Sequence, residues 1–160
     1  MPNVITNTSP LIYLHRAEVL DWLNRLFDSV WVPGSVIAEI QQGRRLGYEV
    51  PDVEALPWLQ VVDPAHLPYK WLALDLGPGE LAAMALGLEN PERILLLDDN
   101  LARRTAVGAG LSVWGTLRVI LEAKDKGLTP SVGLVVERLR ADGMWISEAV
   151  RDRILKLAGE

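Results

Sequence analysis

The sequence predicts an α/β protein, a three-layer α/β/α sandwich around a central, mostly parallel sheet. Short apolar runs of strand-forming residues alternate along the chain with longer segments of helical periodicity. This alternation is typical of parallel strands connected by helices that cover both faces of a sheet. The run at 94–97 is apolar at every position, as expected for a central strand that is buried on both faces.

Five segments have the length and composition of strands. Each is a short run that is mostly apolar, and polar or turn-forming residues follow it. Runs of this length favour strands over helices, which need about ten residues or more. In chain order, the predicted strands are 3–6, 29–32, 59–62, 94–97 and 112–114.

The helices are predicted from their start signals and their periodicity. Thr8-Ser9-Pro10 combines a capping residue with an early helical proline, and Pro33-Gly34-Ser35 and Gly77-Pro78-Gly79 open two further helices. The polar stretch 43–57 is predicted to be a loop that contains a short helix. The predicted helices are 11–27 in one or two pieces, 35 to about 42, 80–88, a segment that ends near 109, 116–126, 131–140 and 147–157.

Composition excludes several classes of protein. The 160 residues are 49% hydrophobic and 23% charged, which argues against disorder and favours a single domain over 1–160, with the helices at about 131–157 packed on it. A net charge of −5 argues against a protein that coats duplex DNA through lysine and arginine. There is no cysteine, so a thiolate zinc site is excluded. With no secretory signal and no apolar run of about 18 residues, a cytoplasmic protein is expected, without a membrane anchor.

Polar residues at strand ends are the candidates for a site, because ligands of open α/β sheets bind beyond the carboxyl ends of the strands. Asn7 ends the first strand, and Glu39 lies one turn into the helix after the second. Glu80 begins the helix that precedes the apolar strand, and Asp98 and Asp99 end that strand. A parallel sheet brings such positions to one edge.

Each of these residues also has a structural interpretation. Asp98-Asp99-Asn100 has the composition of a helix cap, and Glu80 suits the positive end of a helix. Glu39 could lie on a solvated helix face, and Asn7 could belong to a turn. A cap needs only one acid, however, and adjacent carboxylates repel by about 4 kcal/mol at 4 Å and an effective dielectric near 20. The pair therefore favours a site role, with a cation or Arg103 to offset the repulsion.

Together these oxygen donors indicate a hard divalent cation. Mg²⁺ is held by few carboxylates together with water and substrate phosphates. That arrangement suits metal-assisted hydrolysis of a phosphodiester. A phosphatase is the weaker alternative, because Asp98-Asp99 lacks the Asp-x-Asp spacing of the haloacid-dehalogenase-like phosphatases.

Seven segments of the chain match the motifs of a known family in order: 5–12, 32–40, 76–80, 96–103, 110–111, 114–117 and 123–128. They extend over nearly the whole chain, and only the ordered set is specific. By these segments the chain resembles the PIN-domain family, the fold of the VapC-type toxin ribonucleases. It is most similar to a subgroup of uncharacterised predicted nucleic-acid-binding members.

The resemblance implies a toxin–antitoxin endoribonuclease that hydrolyses RNA with Mg²⁺ or Mn²⁺. It also implies an antitoxin protein as partner and a homodimer, for which Trp58 and Trp145 are candidate surface residues. Carried over by motif, the catalytic candidates are Asn7, Glu39, Glu80, Asp98 and Asp99. The metal ligands among them are Asn7, Glu80, Asp98 and Asp99, and the residues for orienting a ligand or contacting phosphate are Thr8, Ser9, Asn100 and Arg103.

Asn7 is the departure from the family pattern that matters, because most catalytic PIN domains have Asp at this position, although Asn also occurs there in the subgroup. An amide oxygen can coordinate a cation, but it carries no charge and accepts protons poorly. The substitution predicts weaker metal binding and low or absent activity. The alternative function is a catalytically weak or inactive PIN module that binds an antitoxin or RNA.

Overall fold

Five short strands form one parallel sheet in the computed structural model, which describes residues 2–160. Every neighbouring pair of strands is parallel, and the strand order is β3-β2-β1-β4-β5. The predicted fold class is confirmed, and the sheet is parallel throughout. The strands are β1 (Val4–Thr6), β2 (Val30–Val32), β3 (Leu59–Val61), β4 (Ile94–Leu96) and β5 (Val113–Trp114).

Eight helices connect and flank the strands, and all but the second begin within three residues of a start predicted from the sequence. The predicted helix at 11–27 is divided in two, because the chain between the pieces turns through Glu18, which has a φ of 62°. A 3₁₀ turn at Trp71–Ala73 had no sequence signal, and another at Val53–Ala55 is the short helix expected in the polar loop. The helices are α1 (Thr8–Arg16), α2 (Trp22–Leu26), α3 (Gly34–Arg45), α4 (Pro78–Glu89), α5 (Asn100–Gly108), α6 (Thr116–Asp125), α7 (Val132–Ala141) and α8 (Glu148–Leu157).

The sheet separates two hydrophobic cores. Successive side chains of a strand point to opposite faces. Leu96 of β4 packs into a core built with α1, α2, α3, α6 and α7, whereas Leu95 and Leu97 pack against α4 and α5. Helix α4 lies close to the sheet because its residues are small: a Cβ at Gly87 would be 3.0 Å from Leu95. The all-apolar run at 94–97 therefore reflects burial on both faces.

The strand order places a topological switch point between β1 and β4. The chain proceeds from β1 to β2 and β3 on one side, and then crosses to β4 and β5 on the other. Loops leave adjacent strands in opposite directions at such a point, which opens a crevice beyond their carboxyl ends. Asn7 and Asp98 follow the two strands that border this crevice.

The last two helices are attached to the body by ion pairs as well as by the core. Glu160 accepts hydrogen bonds from Lys124 Nζ of α6 at 2.8 Å and from the backbone N–H of Val132 at 2.7 Å. These bonds, the lysine first, lower the pKa of Glu160 to about 2. Arg151 of α8 donates to Glu137 of α7 at 2.8 Å. Within residues 2–160, no helix combines the length and the apolar character needed to cross a membrane.

Candidate functional site

Asn7 lies at the centre of the switch point as a buried, incompletely satisfied side chain. It is 4% exposed, and its backbone N–H donates to the carbonyl of Leu96 on the neighbouring strand at 3.2 Å. The side-chain oxygen Oδ1 is buried and has no hydrogen-bond partner in the described part of the chain. A buried polar atom without a partner costs free energy. Turn formation therefore does not use this oxygen, which remains able to coordinate a ligand.

Glu39 connects three helices at the same edge of the sheet. Thr8 Oγ1 donates to Glu39 Oε2 at 2.6 Å, and the backbone N–H of Gly79 donates to Glu39 Oε1 at 2.7 Å. We call these three residues the Glu39 bridge. It joins the first turn of α1 to the first turn of α4 through a carboxylate on α3. Glu39 is therefore held in place and does not lie on a freely solvated helix face.

Glu80 contributes one oxygen to the start of its helix and keeps the other as a candidate ligand. Its Oε1 accepts from the backbone N–H of Gly77, the residue before α4, at 3.3 Å. Its Oε2 is buried and, across residues 2–160, without a hydrogen-bond partner. Burial is the main cause that raises the pKa of Glu80, and the nearby carboxylates of Asp99 and Glu39 raise it further, against the Gly77 hydrogen bond. The carboxylates are thus close enough to repel one another.

The adjacent acids Asp98 and Asp99 accept hydrogen bonds from different helices. Asp99 is the helix cap, because its Oδ2 accepts from the backbone N–H of Ala102 at 2.9 Å. Asp98 points elsewhere and accepts twice from Thr116, from the backbone N–H at 2.8 Å and from the hydroxyl at 2.7 Å. Burial raises the pKa of Asp98, while the two Thr116 bonds and the nearby Arg103 oppose that shift. Divergent side chains therefore relieve the repulsion expected for the pair.

The remaining candidates do not all lie together. Asn100 and Arg103 line the same cavity as Asp98, and Arg103 donates to the carbonyl of Leu97 at 2.9 Å. Thr8 orients Glu39, as described above. Ser9 instead lines a separate cavity of about 290 Å³ with Tyr13.

Two positions that shape the site were not identified as site residues from the sequence. Thr116 fixes Asp98, and Gly79 supplies an N–H to Glu39 at a place where a side chain would not fit. A Cβ at Gly79 would be 2.7 Å from Glu39 Oε1. The only sequence signals were a small residue at a helix start and a threonine shortly after a strand. Both signals are common in helices without a site.

The oxygen donors of the site fit a hard divalent cation that keeps several water ligands. No three His, Cys, Asp or Glu side chains of the described chain form a ready cluster for an ion. Asn7 Oδ1 and Glu80 Oε2, however, are two unpartnered buried oxygens at the starts of the two helices that the Glu39 bridge joins. Asp99 is close enough to Glu80 to raise its pKa. Mg²⁺ usually takes one or two carboxylates and completes its shell with water and phosphate, so these residues would suffice.

We expect Gly79→Ala to disrupt the site and to lower the overall stability of the protein. The methyl group would displace the Glu39 carboxylate, with loss of bonds to a charged acceptor of about 1.5–3 kcal/mol each before water replaces them. Replacing a helical glycine offsets about 1 kcal/mol of that loss. Calorimetry should show Mn²⁺ affinity lowered about tenfold, and the melting temperature should fall by about 4 °C or more.

Gly108→Ala is the matched control for this substitution. It also replaces a glycine near a helix end, but its Cβ would meet no atom within 4 Å. Its Mn²⁺ affinity should equal that of the wild type. If the Gly79 variant also binds Mn²⁺ normally, the Glu39 bridge has no part in holding the ion.

Comparisons with known proteins agree with this fold. A family model described as DUF3368: PIN domain matches residues 3–160. The fold is similar to that of a PilT N-terminus domain protein from the hyperthermophilic archaeon Sulfolobus solfataricus P2. The TM-score is 0.53 at 18% sequence identity, and the match covers 74% of this chain and 90% of that chain. At this identity the likeness concerns the fold alone. No curated protein matches the chain.

Proposed function

The chain belongs to the DUF3368 family of PIN domains, and from this membership and the geometry of the site we propose that it is a Mg²⁺- or Mn²⁺-dependent endoribonuclease of the toxin–antitoxin type. PIN domains are typically nucleases. The observation that carries the proposal is the pair of buried, unpartnered oxygens, Asn7 Oδ1 and Glu80 Oε2, at the switch point of the sheet. Two such atoms at the helix starts joined by the Glu39 bridge are best explained by a cation that both would coordinate.

The reaction is hydrolysis of an RNA phosphodiester. Water adds to phosphorus, one ester P–O bond breaks, and the leaving oxygen takes up a proton. A bound divalent cation would neutralise charge on the phosphate and make water more acidic. Asn7, Glu80 and Asp99 would hold the ion. The Glu39 bridge keeps the first turns of α1 and α4 at a constant separation, so that these ligands stay in position.

Arg103 and Asn100 are the groups proposed to contact the substrate. Arg103 lies near Asp98 and already donates to the Leu97 carbonyl, so its guanidinium is held beside the acids. Guanidinium groups recognise phosphate oxygens through paired N–H donors. Asn100 is exposed at the first position of α5, in the cavity that Asp98 also lines. A phosphate at the acidic site would lie within this neighbourhood.

The proposed partners are an antitoxin protein and a second copy of the chain. Trp145 is 85% exposed, which suits burial in a protein contact. Trp58 is only partly exposed, because it packs against the larger hydrophobic core. Of the two tryptophans, Trp145 is therefore the stronger candidate for an interface.

A non-cleaving module is the second candidate function, and Asn7 is the observation that favours it. The amide supplies an oxygen but no charge. Such a protein would bind RNA or an antitoxin and leave RNA intact. Binding would then persist in chelator, with no cleavage under any metal.

The test is cleavage of a mixed-sequence single-stranded RNA with Mg²⁺, with Mn²⁺ and with EDTA. Cleavage should require a cation, and Asp99→Asn should lower the rate about tenfold or more. Asparagine keeps an oxygen for capping Ala102, so the fold should survive. Asp125→Asn, at the far end of α6, is the charge-matched control and should behave as wild type. Cleavage in EDTA, or wild-type activity of the Asp99 variant, would overturn the proposal.

A further inference from the structure

A groove of about 520 Å³ runs beside the acidic site, between α6 and α8. Asp98 lines it, so the groove and the site are continuous. Arginines from three helices also line it, Arg103 from α5, Arg118 from α6 and Arg153 from α8, and Leu121 is among its apolar lining residues. We call this cavity the α6–α8 groove.

The charge of the groove is opposite to that of the protein. The chain carries a net charge of −5, yet three guanidinium groups and a single carboxylate, that of Asp98, line this cavity. Arg153 is exposed, and within residues 2–160 its side chain makes no hydrogen bond or ion pair. Arg118 lies 4.7 Å over the ring of Trp114, and its contact with Glu122 at 3.0 Å is exposed to solvent. Arg153 is therefore available to an anionic ligand, whereas Arg118 must exchange its two hydrogen bonds with Glu122 for bonds to that ligand.

We propose that the α6–α8 groove binds the single-stranded RNA segment on one side of the phosphate that is cleaved. This inference rests on the proposed function and assigns the path of its substrate. Arg118 and Arg153 contact backbone phosphates, and the apolar lining contacts the faces of the bases. Phosphate contacts of this kind position a strand without reading its sequence. Contact with base faces is likewise tolerant of sequence.

Continuity with the site favours RNA over an acidic peptide. A strand with one phosphate at the acidic site must leave that site, and the groove begins at Asp98. A phosphate reaches the carboxylates together with the cation that neutralises them. A peptide carboxylate at the same place would instead face Asp98 directly and be repelled.

The shape of the groove depends on Gly115. A Cβ at this residue would lie 2.7 Å from Arg103 Nη1 and 3.2 Å from Asp98 Oδ1. The absence of a side chain therefore leaves room for Arg103 at the junction between groove and site. Helix α8, the opposite wall, is attached to α7 by the Arg151–Glu137 and Arg140–Glu148 ion pairs at 2.8 and 2.6 Å. The walls are thus held in place before a ligand binds.

The experiment measures binding of a fluorescein-labelled, twelve-nucleotide single-stranded RNA in EDTA, where cleavage does not interfere. Arg153→Ala and Arg118→Ala should each weaken binding about five- to tenfold. Each should also lower the slope of log affinity against log salt by about 0.7, the value for one phosphate contact on a single strand. Glu122→Gln should strengthen binding, because it releases Arg118.

Arg104→Ala is the matched control, since Arg104 is an exposed arginine of α5 outside the groove lining. Its affinity should stay within twofold of wild type. Equal weakening in all three arginine variants would overturn the proposal in favour of diffuse attraction. So would a failure of RNA to bind, including the case in which a poly-glutamate peptide binds and Arg153→Ala abolishes that binding.

Cleavage measured in parallel separates this proposal from the function on which it rests. If wild type cleaves RNA and the groove variants cleave and bind as well as wild type does, the groove assignment is wrong and the nuclease stands. If wild type binds RNA in an Arg153-dependent manner but cleaves nothing with either metal, the groove stands and the nuclease assignment falls.

Discussion

Replacing Glu80 by Gln is expected to abolish most metal-dependent cleavage and, at the same time, to stabilise the metal-free protein. Glu80 Oε2 is one of the two unpartnered oxygens of the site, and glutamine cannot supply its charge. Loss of groups that merely support a metal ligand costs roughly 10- to 100-fold, so loss of a ligand should cost about 100-fold or more. The measurements are RNA cleavage with Mn²⁺ and thermal unfolding in EDTA.

The stability effect follows from the raised pKa of Glu80, which burial causes and neighbouring carboxylates increase. Between the unfolded pKa of about 4.5 and the higher folded pKa, the native state holds a proton that the unfolded state has released. The free energy of unfolding of wild type therefore falls as the pH rises through this window. The Glu80→Gln variant lacks this dependence, so its advantage in EDTA should be absent near pH 4 and present at pH 8.

Glu54→Gln serves as the control, because Glu54 is an exposed glutamate in the first turn of the 3₁₀ helix at Val53–Ala55. It should change neither cleavage nor the pH dependence of unfolding. A Glu80→Gln variant that is less stable than wild type at pH 8 in EDTA would contradict the account of repelling carboxylates. Full cleavage activity would remove Glu80 from the site.

Replacing Asn7 by Asp is expected to increase Mn²⁺ affinity and RNA cleavage about tenfold or more, because it adds a charged ligand where the amide now stands. The same change should destabilise the protein in EDTA. Asn7 is 4% exposed, and a buried carboxylate without a partner costs more than the roughly 1–3 kcal/mol of a neutral group, so the melting temperature should fall by several degrees or more. Mn²⁺ should restore the loss, so the two readouts move in opposite directions with metal.

Asn3→Asp, at the other end of the same strand region, tests whether the charge alone produces this behaviour. Asn3 Oδ1 accepts from Ser29 Oγ at 2.9 Å, and a carboxylate can do the same. Its unfolding should respond to Mn²⁺ as that of wild type does. If the Asn7→Asp variant is destabilised equally with and without Mn²⁺, no ion binds at the switch point and the nuclease proposal loses its main support.

Most of the fold was predictable, because secondary structure depends on patterns within a few residues. The run at 94–97 indicated a strand buried on both faces, and Gly77-Pro78-Gly79 marked the start of α4 to within two residues. The position of the break between α1 and α2 was harder to predict from the sequence. It depends on the left-handed conformation of Glu18. Glycine or asparagine usually occupies such a position, so a glutamate gave no sequence signal for the turn.

The candidate site was predictable as a set of residues but not as a set of contacts. A parallel sheet predicts that Asn7 and Asp98 lie at the same edge of the sheet, but the pairing of their two strands became known only from the structure. The bond from Gly79 to Glu39 joins residues 40 positions apart, and that from Thr116 to Asp98 joins residues 18 apart. Neither has a local pattern, because both arise where helix starts meet beyond the sheet.

The amino-acid pattern by itself determined the elements, the class of fold and the oxygen-rich chemistry of the strand ends, since these depend on periodicity, turn residues and side-chain type. Only the tertiary structure decided which of these oxygens accept hydrogen bonds within the protein and which have no partner there. Asp99 and Glu80 each direct one oxygen to a helix start, Thr116 binds both oxygens of Asp98, and Asn7 is buried with its oxygen unpartnered. The physical reason is that a hydrogen bond to these oxygens depends on the distance between segments that are remote in sequence. The packing of the two cores on the sheet sets those distances.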